Sequence, residues 1–202
     1  MSPTTISITE LIPPPSPSEL AVLRDRLGAA ADREGLIDVA YRTVDSPHGP
    51  LLLAAGAAGL VRVAFAVEHH DDVLAALAAT ISPRLLEAPS RLDDVARQLD
   101  EYFAGRRRSF DVPVDLRLAS GFRRTVLEHL RTIGYGRTES YAQAAAGAGN
   151  PAAVRAAASA CSHNPVPIVV PCHRVVRSDG SIGRYLAGPA VKAALLDLEA
   201  AA

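Results

Sequence analysis

The segment Asn164-Pro165-Val166-Pro167-Ile168-Val169-Val170-Pro171-Cys172-His173-Arg174-Val175-Val176 decides how this chain is read. Its apolar centre, Val166 to Val170 broken only by Pro167, reads as a buried strand. Cys172 then stands at the exit of that strand, with His173 directly after it. The thiolate is the reactive form of cysteine, and a neighbouring imidazole, cation or helix N-terminus lowers its pKa. The Cys-His pair alone is a weak signal, because adjacent side chains tend to point apart. Its bland alternative is a buried packing thiol, the commonest fate of a lone cysteine. The long string around the pair favours the nucleophile.

A chain of 202 residues has room for one or two domains with a real core. Two cysteines, no stretch that reads as a signal peptide and no apolar run of transmembrane length predict a reduced, soluble, cytoplasmic protein. Cys161, in an alanine-rich helical stretch, reads as a packed core thiol. The net charge of −1 conceals a split. Residues 1–100 carry 8 Arg against 14 Asp and Glu, net −6, whereas residues 101–202 carry 12 Arg and 1 Lys against 8 acids, net +5. Any nucleic acid would therefore dock on the second half, weakly and in a salt-sensitive way.

Residues 1–16, with Pro13-Pro14-Pro15, predict a flexible arm. Ser18 is placed to cap a helix from Glu19 to Arg33 whose Leu20, Leu23 and Leu27 share one face and pack against the N-terminal domain. Val39–Val44 and Leu51–Ala54 flank the turn cluster Ser46-Pro47-His48-Gly49-Pro50 as a hairpin, and Leu60–Ala66 adds a third strand. Helices are expected at about 70–80 and 90–104, then an extended connector over Phe110–Leu116. From Gly121 the spacing of Phe122, Val126, Leu127, Leu130 and Ile133 is helical. These elements divide into three units: a leader at 1–38, an α/β domain at 39–110 and a mostly helical domain at 111–202.

Ser140 opens a short helix to Ala146, Gly147-Ala148-Gly149-Asn150 forms a turn, and Pro151 suits the first position of a second helix running to Cys161. Almost every side chain on that second helix is tiny, and Arg155 alone is long and charged. Such a helix is able to approach a partner closely with one projecting probe. The competing reading is an alanine-rich core helix with a snorkelling arginine.

Taken together, the Asn164–Val176 string, Thr138-Glu139-Ser140-Tyr141 and Gly183-Arg184-Tyr185-Leu186-Ala187-Gly188 resemble the O6-alkylguanine-DNA alkyltransferases, the methylated-DNA–protein-cysteine methyltransferases, from about Ala40 to Glu199. The resemblance implies an α+β fold. Its N-terminal part is a ribonuclease H-like α/β domain with a small antiparallel sheet, and its C-terminal part is a mostly helical, winged-helix-like domain containing a helix-turn-helix. It also implies stoichiometric, irreversible transfer of an alkyl group, mainly methyl, from O6 of guanine in duplex DNA to Cys172. Reaction requires an extruded base, since a protein sulfur cannot reach O6 of a stacked guanine in line.

The resemblance assigns roles residue by residue. His173 is a base acting through a water, and Glu199 orients its far nitrogen, a relay analogous to the serine triads. Tyr141 lines the base pocket and donates a proton as guanine leaves; its bland alternative is a half-buried core tyrosine. Arg155 fills the gap left by the extruded base, with Ala153 and Ala156 beside it at the DNA. Asn164 ties the recognition helix to the active-site turn, compatibly with helix capping. Pro167, Val175 and Tyr185 shape the pocket, Lys192 supports the turn, and Arg174 braces the strand exit. Departures from the family pattern stand at Arg123, Leu127, Gly134, Ala158 and Ala187. No cofactor or metal is expected; His69-His70-Asp71-Asp72 reads as a solvated helix start.

Three rivals remain. An alkylated-DNA-binding protein, or a weakly active homologue that recognises lesions without efficient transfer, is the principal one, although such binding proteins lack the cysteine. A helix-turn-helix transcription factor would need side chains able to read bases on the second helix. A cysteine hydrolase would turn over repeatedly. The alkyltransferase reading makes duplex DNA carrying O6-alkylguanine the partner, excludes a membrane and predicts a monomer.

Overall fold

Alternation along Leu51-Leu52-Leu53-Ala54 makes the first packing decision: successive side chains of a strand face opposite ways, and here both faces are apolar. The protein, described by a computed structural model over residues 15–201, buries both. A four-stranded sheet is built from β1 (Val39–Val44), β2 (Leu51–Gly56), β3 (Gly59–Phe65) and β4 (Leu85–Glu87), in the order β3-β2-β1-β4. The first three strands pair antiparallel, as their turn signals predict. β4 lies parallel to β1 and was not expected from the sequence. At three residues it is too short to show a periodicity.

Leu52, Ala54, Val61 and Ala64 face α2 (His70–Thr80), meeting its Val73 and Leu77. Leu51, Leu53, Leu60, Val63 and Phe65 face the other way, toward α3 (Asp93–Phe103) and the C-terminal half. A single cluster of buried side chains runs from this face through Leu99 and Tyr102 to Val166, Val170 and Cys172. Two extended segments cover the outer edge of β3. Leu60 N–H donates to Pro113 O at 2.8 Å, and Asp115 N–H returns a bond to Leu60 O at 2.8 Å. Further along, Val63 N–H donates to Pro165 O at 2.9 Å. Gly59 makes the first contact possible: its φ is 127°, and a Cβ there would run into the backbone of Pro113.

The C-terminal half comprises α4 (Gly121–Leu130), α5 (Tyr141–Gly147), α6 (Val154–Ser162) and α7 (Pro189–Ala200), with a two-stranded parallel ribbon joining β5 (Glu139–Ser140) to β6 (Val175–Val176). Val126, Leu127 and Leu130 bury the inner face of α4. Gly147 lets the ring of His129 pack flat on α5, where any Cβ would collide with it, and His129 Nε2 lies 2.8 Å from Glu139 Oε2. These contacts seat α5 and α6 as a helix-turn-helix. Among the described residues no helix is long and apolar enough to cross a membrane.

Four expectations are corrected. α1 runs Pro17–Arg33 and is capped by Ser16, not Ser18, with Glu19 closing a reciprocal capping box and Pro17 at its first position. It docks through Gly28 against Glu87 and Ala88, so Leu20, Leu23 and Leu27 are left exposed instead of packed. Pro151 lies in the turn, and α6 begins three residues later at Val154 with Ala153 as its N-cap. The stretch Val166–Val170 is buried but is no strand; it folds into a tight turn closed by a bond between its own ends. The arm expected at residues 1–16 falls outside the described residues for 1–14.

Candidate active site

Three prolines dictate the shape of the segment that carries Cys172. Pro165, Pro167 and Pro171 have no N–H to offer a ladder, so the apolar run folds on itself. Val170 N–H donates to Val166 O at 2.9 Å, and Ile168 sits at φ 73°, an uncommon region for a β-branched residue. Asn164 holds the turn from inside. Its Oδ1 accepts from Val166 N–H at 3.0 Å, while its Nδ2 donates to Val170 O at 2.8 Å and to Cys172 Sγ at 3.1 Å. Asn164 caps no helix, since α6 ends at Ser162 and His163 is its C-cap. Cys172 therefore opens a single 3₁₀ turn, Cys172–Arg174, leading into β6, and does not stand at the exit of a strand.

Burial pushes the Cys172 thiol up to about 11, against the pull of the Asn164 amide and the Lys192 ammonium. The resting sulfur is thus a protonated thiol, contrary to the lowered pKa that the adjacent His173 suggested. His173 is fully buried and its pKa is driven down by desolvation, despite Glu199 at 2.9 Å from Nε2. Glu199 stays ionised: burial disfavours its charge, but bonds from His173 and Arg174 outweigh that and hold it at about 2. An ionised carboxylate only accepts, so Nε2 carries the proton and Nδ1 keeps its lone pair. Nδ1 has no partner among the described residues.

The carboxylate of Glu199 is fully engaged. Arg174 donates to Oε2 from Nε at 2.8 Å and to Oε1 from Nη2 at 2.9 Å, a two-point grip. Tyr102 donates to Oε1 at 2.8 Å, and Gly136 N–H to Oε2 at 3.1 Å. Arg174, expected to brace a strand exit, braces Glu199 instead. Lys192, fully buried on α7, donates to Val175 O and lies 5.8 Å from the Tyr141 ring centroid. It thus links the end of the active-site turn to the helix-turn-helix.

On the outer side, a cavity of about 300 Å³ is lined by Tyr141, Ala158, Ser159, Ser162, Arg177, Gly183 and Arg184. Gly183 fits against the Tyr141 hydroxyl, where a Cβ would clash. Tyr185 is buried edge-on to Phe65, and its hydroxyl has no partner among the described residues. Arg155 and Ala156 are exposed on α6, Ala153 is half-exposed at its start, and Ala157, Ala160 and Cys161 form its buried side. Burial raises the Cys161 thiol far above its ordinary value. Pro167 and Val175 are buried within the turn and β6.

Residues 39–116 match the ribonuclease-like domain of 6-O-methylguanine DNA methyltransferase, and residues 121–201 match its DNA-binding domain. A methylated-DNA–protein-cysteine methyltransferase of Mycobacterium bovis is 40% identical over 159 residues, 79% of this chain and 91% of the relative. The chain belongs to the 6-O-methylguanine DNA methyltransferase family. The corresponding protein of Methanosarcina barkeri is 37% identical, over 79% of this chain and 96% of its own. A crystal structure of OGT from Mycobacterium tuberculosis in complex with DNA superimposes with a TM-score of 0.70 at 39% identity, covering 80% of this chain and 93% of that one. α1 lies before the residues that match the methyltransferase family.

Cys172, His173, Glu199 and Asn164 are brought together by direct bonds or adjacency, and Tyr141, Lys192 and Tyr185 surround them. Arg155 stands apart on the exposed face of α6. Sequence reasoning missed Tyr102, the Gly136 amide and the arginines Arg177 and Arg184 at the cavity. Tyr102 reaches Glu199 across 97 positions of chain, a distance no local pattern reports.

Proposed function

We propose that the protein repairs O6-alkylguanine in duplex DNA by direct transfer of the alkyl group to Cys172, once per molecule. The observation that carries this reading is the bare Nδ1 of His173. It is a buried lone pair on a ring whose other nitrogen is pinned by an ionised carboxylate, one residue from a thiol that still holds its proton. In this reading a water passes the Sγ proton to Nδ1, the S–C bond forms as the C–O6 bond breaks, and the departing guanine takes a proton from the Tyr141 hydroxyl. Tyr141 is reprotonated from the relay, so the thiol proton ends on the base and no outside reagent is consumed. The Asn164 amide bond to Sγ stabilises the thiolate as it forms. The unpartnered Tyr185 hydroxyl supplies a donor or acceptor for the edge of the inserted guanine.

The exposed, nearly bare face of α6 suits close approach to DNA, with Ala153 and Ala156 against the groove and Arg155 standing in for the extruded base. Residues 121–192 carry 8 Arg and 1 Lys against 3 acids, which supports docking of phosphates on this half. Pro167 and Val175 shape the pocket and Lys192 supports it. The reading divides the chain into a leader at 1–38, an α/β domain at 39–110 and a transfer domain at 111–202, and has the protein act as a cytoplasmic monomer without a cofactor.

Intact-protein mass spectrometry after mixing with duplex DNA containing O6-methylguanine tests the proposal. One added methyl per protein, mapped to Cys172, is expected, with Cys161→Ser still reactive and Cys172→Ser inert. Repeated turnover, or methylation of Cys172→Ser, would refute it.

A further inference from the structure

Glu199 and His173 both belong to the C-terminal half, yet one of the groups on Glu199 comes from the other half. Tyr102, in the last turn of α3, is fully buried, and its hydroxyl lies 2.8 Å from Glu199 Oε1 and 3.5 Å from His173 Nε2. Its ring is held by Phe103, Phe110 and Tyr135, with centroids at 5.5, 5.4 and 6.2 Å. A phenylalanine would fill the same space without burying a hydroxyl, whose desolvation costs free energy unless it is bonded. The hydroxyl therefore needs a reason to be there.

We propose that Tyr102 is a positioning residue for alkyl transfer: its hydroxyl shares Glu199 Oε1 with His173 and sets how strongly the carboxylate pulls on the imidazole. The inference rests on the transfer reading above and gives the sheet-bearing half a direct hand in the relay. A carboxylate that accepts an additional hydrogen bond is a weaker base, so it draws less on the Nε2 proton and leaves Nδ1 less basic. Burial and the Glu199 charge keep the phenol protonated far above neutral pH, so it acts as a constant donor. The other groups facing the pair are Arg174 on Glu199, Tyr135 with Arg108 over its ring, Lys192 and Tyr185. Of the tyrosines, Tyr102 alone bonds the carboxylate, since Tyr135 donates to Leu198 O.

Tyr102→Phe tests this, read in two ways. First, single-turnover methyl transfer from duplex DNA is followed against pH. The acid limb of the variant is expected to move up by about half to one pH unit, because the imidazole becomes more basic. Rates below the limb then fall about three- to tenfold while the alkaline plateau is retained. Second, the ¹⁵N shifts of the His173 imidazole are titrated directly, which needs no transfer at all. An upward shift of the His173 pKa supports the proposal. An unchanged His173 titration overturns it, whatever happens to melting temperature or rate. Failure of the wild-type protein to accept methyl would remove the transfer reading, while the imidazole titration would still decide the role of Tyr102.

Discussion

Replacing Asn164 by alanine removes two jobs at once, one toward the fold and one toward the sulfur, and each has its own readout. Toward the fold, the amide pairs Val166 N–H and Val170 O, both in fully buried residues. Without it Val166 N–H loses its partner, at about 1–3 kcal/mol, whereas Val170 O keeps the bond from Cys172 N–H at 2.8 Å. That is still an appreciable share of a typical 5–15 kcal/mol stability. Toward the sulfur, the amide gives one bond at 3.1 Å that strengthens as the thiolate forms. A hydrogen bond to a charged acceptor contributes about 1.5–3 kcal/mol, and 1.4 kcal/mol is about tenfold in rate. Transfer should therefore slow by roughly 10- to 150-fold in molecules that remain folded. The assay pairs urea denaturation with single-turnover transfer, using both duplex O6-methylguanine and free O6-benzylguanine, at a temperature where circular dichroism shows the variant folded. Similar losses on both substrates are expected, since the sulfur is common to both. A variant that is destabilised but reacts at the wild-type rate would refute the claim that Asn164 supports the nucleophile.

Two further outcomes are expected. Arg155→Ala should slow repair of duplex DNA by about 10- to 100-fold, the scale of a few kcal/mol for holding a base out of the stack, and should leave reaction with free O6-benzylguanine within about twofold; equal losses on the two would count against a role at the extruded base. The Cys172 thiol titrates at about 11 when folded, against an ordinary value of 9.0, so above pH 9 the unfolded chain loses this proton first and stability falls as pH rises toward 11. Two pKa units correspond to about 3 kcal/mol at most, so the stability of Cys172→Ser relative to wild type should rise over that window; a pH-independent difference would show that the folded thiol is not shifted.

The strands β1 to β3 and the helices α2 to α4 were legible because each carries a periodicity long enough to count, whereas the alanine-rich α5 and α6 were read from the residues of the turn between them. The Ser46–Pro50 cluster was legible as a turn because Ser46 Oγ, accepting from His48 N–H and donating to Gly49 O, is the local chemistry that those residues offer. Val166–Val170 was misread for an equally physical reason. A short apolar run is buried whether it is a strand or a turn, and the deciding facts were the missing donors at Pro165, Pro167 and Pro171. The Ser16 cap was overlooked, although Pro17 at the first helical position and Glu19 two residues further on point to it. Within the site, the members contiguous with Cys172 could be placed by resemblance. The environment that sets their protonation could not, because Tyr102 and Gly136 reach Glu199 from distant segments, and Arg174, although next to His173 in sequence, spends its two bonds on Glu199 across 25 positions of chain.

The β5–β6 ribbon has a consequence for how lesions are found. Glu139 and Ser140, the latter the N-cap of α5, pair with Val175 and Val176, the residues that come directly after the Cys172–Arg174 turn. The helix-turn-helix and the sulfur are thus splinted together, Val175 of the ribbon lying three residues after Cys172. In the proposed reaction that coupling leaves the nucleotide to do the moving, and the dwell time at each step then depends on how readily that base leaves its stack. Intact pairs pay the full unstacking cost and are passed over, while a weakened O6-alkylguanine pair opens more readily. Sorting of sites thus begins in the DNA, before the thiol is ever reached.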